Sequence, residues 1–530
     1  KRRKRHNWLY RKTEPFFEWL NRQYNASLES FMQYRWLAFI IILASVGLIW
    51  LFLQNIQTEL APLEDRGQVR MFATGPEGAT FEYMDIYLDS VIALIERDVP
   101  EKQAIITVTS PGFGSSSSVN SGFVRLTLKD ATKRERSQQE IVDDLTPKIM
   151  QMTQARTFIS QEPTINNQRQ GLPVQFVIQA STLEKLEDVL PAFMEKANSS
   201  PAFAFVDLNL KFNKPEIRID IDREKARSLG VSVRDIAETL QLGLSGTRFG
   251  YFIMDGKQYQ IIGQVRRSDR DDPLDLRSLY VKSQGGQLIQ LDNLVYLEED
   301  STPPQLYRFN RYSSATVSAS LAPGYTLGDG IDAMQTIASE VLDGSFATDL
   351  DGQSAEFRES SDSLLFALLF AILLIYLVLA AQFESFRDPS IIMFTVPLAF
   401  AGALLTLWYF NETLNIFSQI GIIMLIGLVT KNGILIVEFA NQRKAQGMGV
   451  KQAIIEAAES RFRPILMTSL STVLGILPIA LALGAGSESR VSMGIAVIGG
   501  LIFSTILTLY VIPAIYTYVS SSKEVRVARM

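Results

Sequence analysis

Residues 416–442 read IFSQIGIIMLIGLVTKNGILIVEFANQ, an apolar run long enough to cross a bilayer with a lysine, Lys431, near its middle. A hydrocarbon core of about 30 Å needs about 20 residues at 1.5 Å per residue. Runs of the same kind occupy Leu37–Leu53, Leu364–Ala381, Ile391–Phe410, Pro464–Leu483 and Val491–Val519. Residues 54–363 hold no such stretch. The reading is a membrane α-helical bundle of six transmembrane helices, one before and five after a large α+β insert.

Composition agrees with apolar residues gathered into blocks. The chain of 530 residues is 47% hydrophobic and 20% charged, with a mean hydropathy of +0.11. It has no Cys, and its one His, His6, lies in the basic tail KRRKRH. Thiolate chemistry and an imidazole metal centre are therefore not expected. No nucleophile–base set, phosphate loop or metal motif appears, so an enzyme is not expected either. The net charge of −5 is less informative than where the charges lie. The first residue is Lys rather than Met and no signal peptide follows, which reads as a chain beginning partway through something longer.

Lys and Arg gather at one set of helix ends: the N-terminal tail, the link carrying Arg443, Lys444, Lys451, Arg461 and Arg463, and the tail with Lys523, Arg526 and Arg529. Basic loops stay in the cytoplasm, so the insert is expected to face outward. Residues 14–34 place Phe16, Phe17, Trp19, Leu20, Tyr24, Leu28, Phe31 and Met32 among polar residues. That pattern fits an amphipathic helix on the cytoplasmic interface, with a loop of scattered aromatics as the alternative.

Within the insert, strand-like alternation marks 69–75, 104–110, 122–130, 173–180, 215–222 and 258–265. Helical spacing marks 80–98, and two short helices split at Gly230 mark 223–243. Strand–helix–strand units with antiparallel neighbours predict split-βαβ sandwich subdomains. The loop SPGFGSSSSVNSG, 110–122, has one large apolar side chain, Phe113. Its composition fits equally a flexible surface loop and a loop that moves against a ligand.

An ammonium at the depth of Lys431 costs about 2.5–3.5 kcal/mol on insertion scales and is kept when it faces a partner or a wet cavity. Snorkelling is the alternative, but Asn432 and Gly433 lead into a further apolar stretch before Glu438. The middles of the six runs hold no Asp or Glu, so a counter-ion would have to come from outside this chain. Gln419, Thr430, Asn432, Thr468, Ser469, Ser471 and Thr472 are further polar residues of the same helices.

The segments GLVTKNGILIVEFANQ (427–442) and ESRFRPILMTSLSTVLGILPIALALGAGS (459–487) resemble the C-terminal half of resistance–nodulation–division (RND) exporters of the hydrophobe/amphiphile efflux branch. FLQNIQTELAPLEDRG (52–67), EIRIDIDREKARSLGVSVRDI (216–236) and LVLAAQFESFRDPSIIMFTVPLAFAGALL (377–405) extend the resemblance over essentially the whole chain. It implies a homotrimeric, proton-driven exporter of drugs and other amphiphiles in the bacterial inner membrane, powered by the proton motive force without a cofactor. The implied partners are an N-terminal half carrying an Asp pair, a periplasmic adaptor (membrane fusion protein) and an outer-membrane channel, with no nucleic acid. The implied proton relay is Lys431, Thr468 and Arg461, with Asn432 beside them.

The resemblance also makes 110–122 a switch loop, with Gly112, Phe113, Gly114 and Ser115 in it and Arg125 at a pocket position often aromatic. Fewer aromatics and an added cation would favour anionic or more polar amphiphiles. The implied division is 1–36 tail and interfacial helix, 37–54 first membrane helix, 55–172 first porter subdomain, and 173–213 with 302–358 second porter subdomain. Residues 214–301 would be a docking subdomain, 361–519 the five-helix segment and 520–530 a tail. A metal-exporting relative is disfavoured because the insert lacks a His or Cys cluster. A sterol-sensing relative and a protein-export accessory are disfavoured by the docking-like segment and by the different domains of the latter.

Overall fold

The computed structural model describes residues 8–111, 119–165, 171–270, 278–303, 305–483 and 487–520. They form two compact units, one comprising 1–75, 80–209 and 307–530, the other 76–79 and 210–306.

The first unit begins with α1 (Trp8–Phe31) and α2 (Leu37–Asn55). The amphipathic pattern of α1 buries one face in protein: Tyr24, Leu28 and Met32 join a core with Phe462, Ile465 and Ile512. The Tyr24 ring stacks on Phe462 at 4.3 Å, and its hydroxyl donates to the Leu509 carbonyl at 2.7 Å. Arg463 pairs with Glu14 at 3.0 Å. Phe16 and Trp19 stay exposed.

Then come β1 (Gln68–Thr74), α3 (Phe81–Asp98), β2 (Lys102–Thr109), β3 (Ser121–Leu128), α4 (Gln138–Met150) and β4 (Arg156–Gln161). The sheet order is β2-β3-β1-β4 with antiparallel neighbours, the split-βαβ plan. Thr80 caps α3 by accepting from the Tyr83 amide, and Ser137 and Glu140 form a capping box on α4. Met84, Leu88, Val91 and Ile95 recur at helical spacing and bury against Val69, Met71, Val124 and Leu126, so both helices cover one sheet face.

The strap entering β1 is held by Asp65, whose carboxylate accepts from Arg134 (2.6 Å) and from the amides of Gln138 (2.9 Å) and Gly67 (3.1 Å). Burial alone would raise the Asp65 carboxyl; these donors outweigh it and hold it below the ordinary carboxylate value. A depressed carboxyl stabilises the fold above the unfolded-state pKa, and that contribution is lost as pH falls through the folded value. Asp65→Asn should therefore cost roughly 3 kcal/mol at neutral pH, because the Arg134 side chain, 2% exposed, loses its counter-ion. Thermal unfolding at pH 7 and pH 4 checks this: the penalty should shrink toward the acid end.

A second sheet follows: β5 (Val174–Ala180), α5 (Leu183–Ser199), β6 (Phe203–Leu208), then β13 (Arg308–Phe309), β14 (Tyr312–Leu321), α8 (Leu327–Val341) and β15 (Ala347–Leu350). Its order is β13-β14-β5-β15, with β6 also paired to β14. The alternation expected of a half-buried strand at 173–180 is absent, since every residue of β5 is buried, Gln175 and Gln179 included. Helix α9 (Gly352–Phe383) begins inside this subdomain and continues as a membrane helix. At its start Ser354 donates to the Pro173 carbonyl at 3.1 Å and accepts from the Gln175 amide at 3.0 Å. Gly352 there has φ +55°, and a Cβ would lie 2.6 Å from Gln175 Oε1.

The remaining helices are α10 (Arg387–Met393), α11 (Thr395–Tyr409), α12 (Ile416–Ala445), α13 (Val450–Ala480) and α14 (Val491–Val519). The third membrane run breaks at Phe394 into α10 and α11, three residues before Pro397, whose ring would clash with the carbonyl four residues earlier. Among the described residues six helices are long and apolar enough to cross a membrane, one before the sheets and five after, α10 and α11 counting as one. Helices α11, α12 and α14 form the centre, while α2, α9 and α13 are largely exposed along their apolar lengths.

The second unit holds β7 (Lys214–Ile221), α6 (Arg223–Ser228), α7 (Val233–Leu240), β8 (Thr247–Met254), β9 (Lys257–Gly263), β10 (Tyr280–Lys282), β11 (Leu288–Gln290) and β12 (Val295–Thr302). β7 pairs with β12, β8 with β9 and β10 with β11. The two short helices are split at Gly230 as the sequence predicts, with φ +69° at that glycine. Ala226, Val231, Ile236, Val281 and Leu294 make its core.

Candidate functional site

Helix α12 is started by Asn415, whose side-chain oxygen accepts from the amides of Phe417 (3.0 Å) and Ser418 (3.1 Å). Gly421, Ile422, Leu425, Val429, Asn432, Gly433 and Ile436 are buried by neighbouring helices. Ile420, Met424, Gly427, Lys431 and Glu438, at spacings of three, four and seven, form one exposed stripe. Lys431 is the single cation of that stripe, and it makes no ion pair with a described residue.

The other residues expected beside Lys431 are arranged unevenly. Asn432 points into the bundle, where its Nδ2 reaches Thr505 Oγ1 at 3.3 Å and Ser469 Oγ at 3.5 Å, while Ser469 and Thr505 hydrogen-bond at 3.1 Å. Thr468 donates back to the Ile465 carbonyl at 3.1 Å, as hydroxyls in helices often do. The Arg461 guanidinium stacks 4.6 Å from the Phe439 ring centroid, and its Nε is buried without a hydrogen-bond acceptor. Among the described residues no hydrogen bond joins Lys431, Thr468 and Arg461. Thr505 carries no signal of its own in the sequence, because it stands among Ser504 and Thr508 in the apolar run of α14, and such hydroxyls commonly bond their own helix backbone.

Beyond the membrane helices, residues 57–60 are stitched on both sides. Gln57 Nε2 donates to the Gly324 carbonyl at 2.7 Å and the Gly328 amide donates to the Thr58 carbonyl at 3.0 Å, both toward the second sheet subdomain. Leu414 donates its amide to the Gln57 carbonyl at 2.9 Å, from the loop before α12. Burial raises the Glu59 carboxyl, with the Thr413 hydroxyl opposing it; burial and the nearby Glu59 raise Glu412.

The face of the first sheet away from α3 and α4 carries a second constellation. Phe72 lies 5.1 Å from Phe158 and 5.3 Å from Phe123 between ring centroids, and Phe205 of β6 reaches within 5.8 Å of Phe158. Arg70 and Arg125 are directly opposed across β1 and β3, with Ser160 opposite Arg70 on β4. Arg70 forms a salt bridge with Glu162, and the Nε atoms of both arginines are buried without acceptors. The switch-loop positions Gly112, Phe113, Gly114 and Ser115 lie outside the described residues.

The profile of the AcrB/AcrD/AcrF family, transporters rather than enzymes, matches residues 1–520. An uncharacterized transporter of Haemophilus influenzae is 33% identical over 531 residues, covering 98% of this chain and 50% of the relative. The chain thus spans about half the length of that curated relative. With six candidate spans around antiparallel α+β sheets and a family match over nearly its whole length, the chain belongs to the AcrB/AcrD/AcrF (RND) family of membrane transporters.

Proposed function

We propose that this chain works as one half of a proton-driven exporter of amphiphilic molecules, of the hydrophobe/amphiphile branch, in the bacterial inner membrane with its sheets in the periplasm. The observation that carries the proposal is Lys431, an ammonium on the exposed stripe of α12, far from both ends of a membrane helix. Such a group is stable where a carboxylate faces it. The described membrane spans supply none near it, so the carboxylates come from the other half of the transporter. Gly427, one turn away on the same stripe, leaves room for a helix to approach. A proton arriving on the facing carboxylates would weaken their hold on the ammonium, the elementary step of a relay.

Two connections support the transmission of that step to the sheets. Helix α9 is continuous from the second subdomain into the membrane, and the 57–60 strap joins that subdomain to the start of α12. Thr468, Arg461 and Asn432 take the supporting relay roles in this proposal, and the second unit takes the docking role toward the outer components. A homotrimer, a periplasmic adaptor and an outer-membrane channel complete the assembly.

The complete transporter in proteoliposomes tests the reading. Export of N-phenyl-1-naphthylamine should require an imposed pH gradient, acid on the side of the sheets, and should stop when a protonophore collapses it. Export indifferent to the gradient, or no export, would overturn it; the latter would favour a sensing protein.

A further inference from the structure

The turn that opens α14 is fastened to the chain entering the first sheet by a buried charge. Glu488–Arg490 form that turn as a short 3-10 helix. Ser489, 1% exposed, donates its hydroxyl to Glu64 Oε1, and Glu64 is itself 6% exposed. The other oxygen of Glu64 accepts from Arg66 Nε (3.1 Å) and Nη2 (3.0 Å). Arg66 also donates to the carbonyls of Thr164 (2.7 Å) and Pro163 (3.4 Å), just beyond β4. Beside this link Glu488 Oε2 accepts the Asp65 amide at 3.2 Å, and the Asp65 carboxylate holds the Gln138 amide that begins α4. Hydrogen bonds are directional, and parting a buried charge from one of its donors costs far more than the net worth of the bond. Two segments that share such a carboxylate do not slide past each other as two apolar surfaces can.

The same turn is fixed to the helix that carries Lys431. Ser492, in the first turn of α14, donates to Asn415 Oδ1 at 3.1 Å, and Asn415 is the N-cap of α12. A Cβ at Gly421 would lie 3.1 Å from the Met493 carbonyl oxygen, so α12 and α14 meet backbone to backbone there. Further along, Asn432, the neighbour of Lys431, reaches Thr505 of α14 at 3.3 Å. Helices packed this closely shift as units rather than deform. We infer that Glu64 is a positioning residue for transport: a displacement of α12 and α14 at Lys431 reaches the first sheet subdomain through Ser489, Glu64 and Arg66. The α9 and 57–60 connections lead to the second subdomain, so this link gives the first one a connection of its own. The inference rests on the reading of the chain as a proton-driven exporter and adds the side chain that ties the moving helices to the first sheet.

Two measurements on the complete transporter test this link. In proteoliposomes with an imposed pH gradient, Ser489→Ala removes one hydroxyl and leaves Glu64 on Arg66. It should lower the maximal rate of N-phenyl-1-naphthylamine export about 10-fold, the scale of one hydrogen bond to a charged group, with KM within about twofold of wild type. Glu64→Ala should lower the rate at least as far, and Glu64→Gln, which keeps an acceptor for Ser489, should fall between wild type and Glu64→Ala. A merely structural staple would lower the unfolding midpoint and leave the rate per folded protein unchanged, a result that would overturn the inference. The second measurement needs no transport: hydrogen exchange of the β4 amides, compared between the wild-type protein and Lys431→Met. Exchange in β4 should respond to the Lys431 change while the link is intact, and the response should be lost in the Ser489→Ala background. No response with the link intact, or the same response with it broken, sinks the inference. Exchange therefore decides the role of Glu64 even if the transporter fails the gradient test of its proposed function.

Discussion

Lys431→Met in the complete transporter should reduce proton-driven export to background while leaving the protein folded and its oligomer intact. Removal of a positioned proton-transfer group typically costs about 10²–10⁴-fold in rate, and an effect in that range is expected here. The fold should survive because α12 packs through a different face, the one bearing Ile422, Leu425, Val429, Asn432 and Ile436. Met keeps the length of the side chain and removes an ammonium whose insertion costs about 2.5–3.5 kcal/mol. A snorkelling lysine would give the opposite pattern, with export unchanged and stability equal or higher. Efflux of N-phenyl-1-naphthylamine from cells, with size-exclusion chromatography of the same variant, distinguishes the two. Retained efflux rules out the relay role.

Gly500→Val should destabilise the membrane bundle by about 3 kcal/mol, the upper end of overpacking costs. Gly500 lies where α14 meets α11 and α12 together. A Cβ there would be 2.2 Å from Leu425 Cδ2, 2.9 Å from the Ala399 carbonyl oxygen and 3.3 Å from Ala403 Cβ. A leucine tip can rotate away, but a helix carbonyl cannot, so α11 itself would have to shift. The comparison is Gly47→Ala on α2, where no atom lies within 4 Å of the added carbon. That change should be neutral or stabilising by about 1 kcal/mol, the helix preference of Ala over Gly. The midpoint of heat-induced loss of the monodisperse peak reads both. An unshifted midpoint for Gly500→Val would mean that the three-helix contact is looser than this packing.

Much of the architecture was legible along the chain because it rests on local regularities. Run length and apolarity mark the membrane helices, period-two alternation marks β1, β2 and β3, and Gly230 marks the split between α6 and α7. Where neighbours intervene, such reading loses accuracy. β5 lost its alternation because it is covered on both faces, and the run 391–410 broke where Pro397 opposes a continuous helix. In and just after α1, Tyr24, Leu28 and Met32 pack against α13 and α14, while Phe16 and Trp19 of the same pattern stay exposed. An amphipathic pattern shows that a face is buried without saying against what.

The candidate site divides in the same way. Lys431 could be recognised from sequence alone, since a cation deep in an apolar run is costly wherever the helix packs. The sequence also determined that no carboxylate of these membrane runs lies near it. Arg70 could not be recognised, because it is an ordinary residue in an alternating strand, 55 positions before Arg125 and 92 before Glu162. Only the pairing of β1 with β3 and β4 sets the three on one face. Tertiary structure likewise decided that Asn432 turns inward to Ser469 and Thr505 while Lys431, the residue before it, lies on the open stripe. Adjacent helix residues point about 100° apart, so the packing of α12 against its neighbours, rather than the run of letters, assigns one to the interior and the other to a partner.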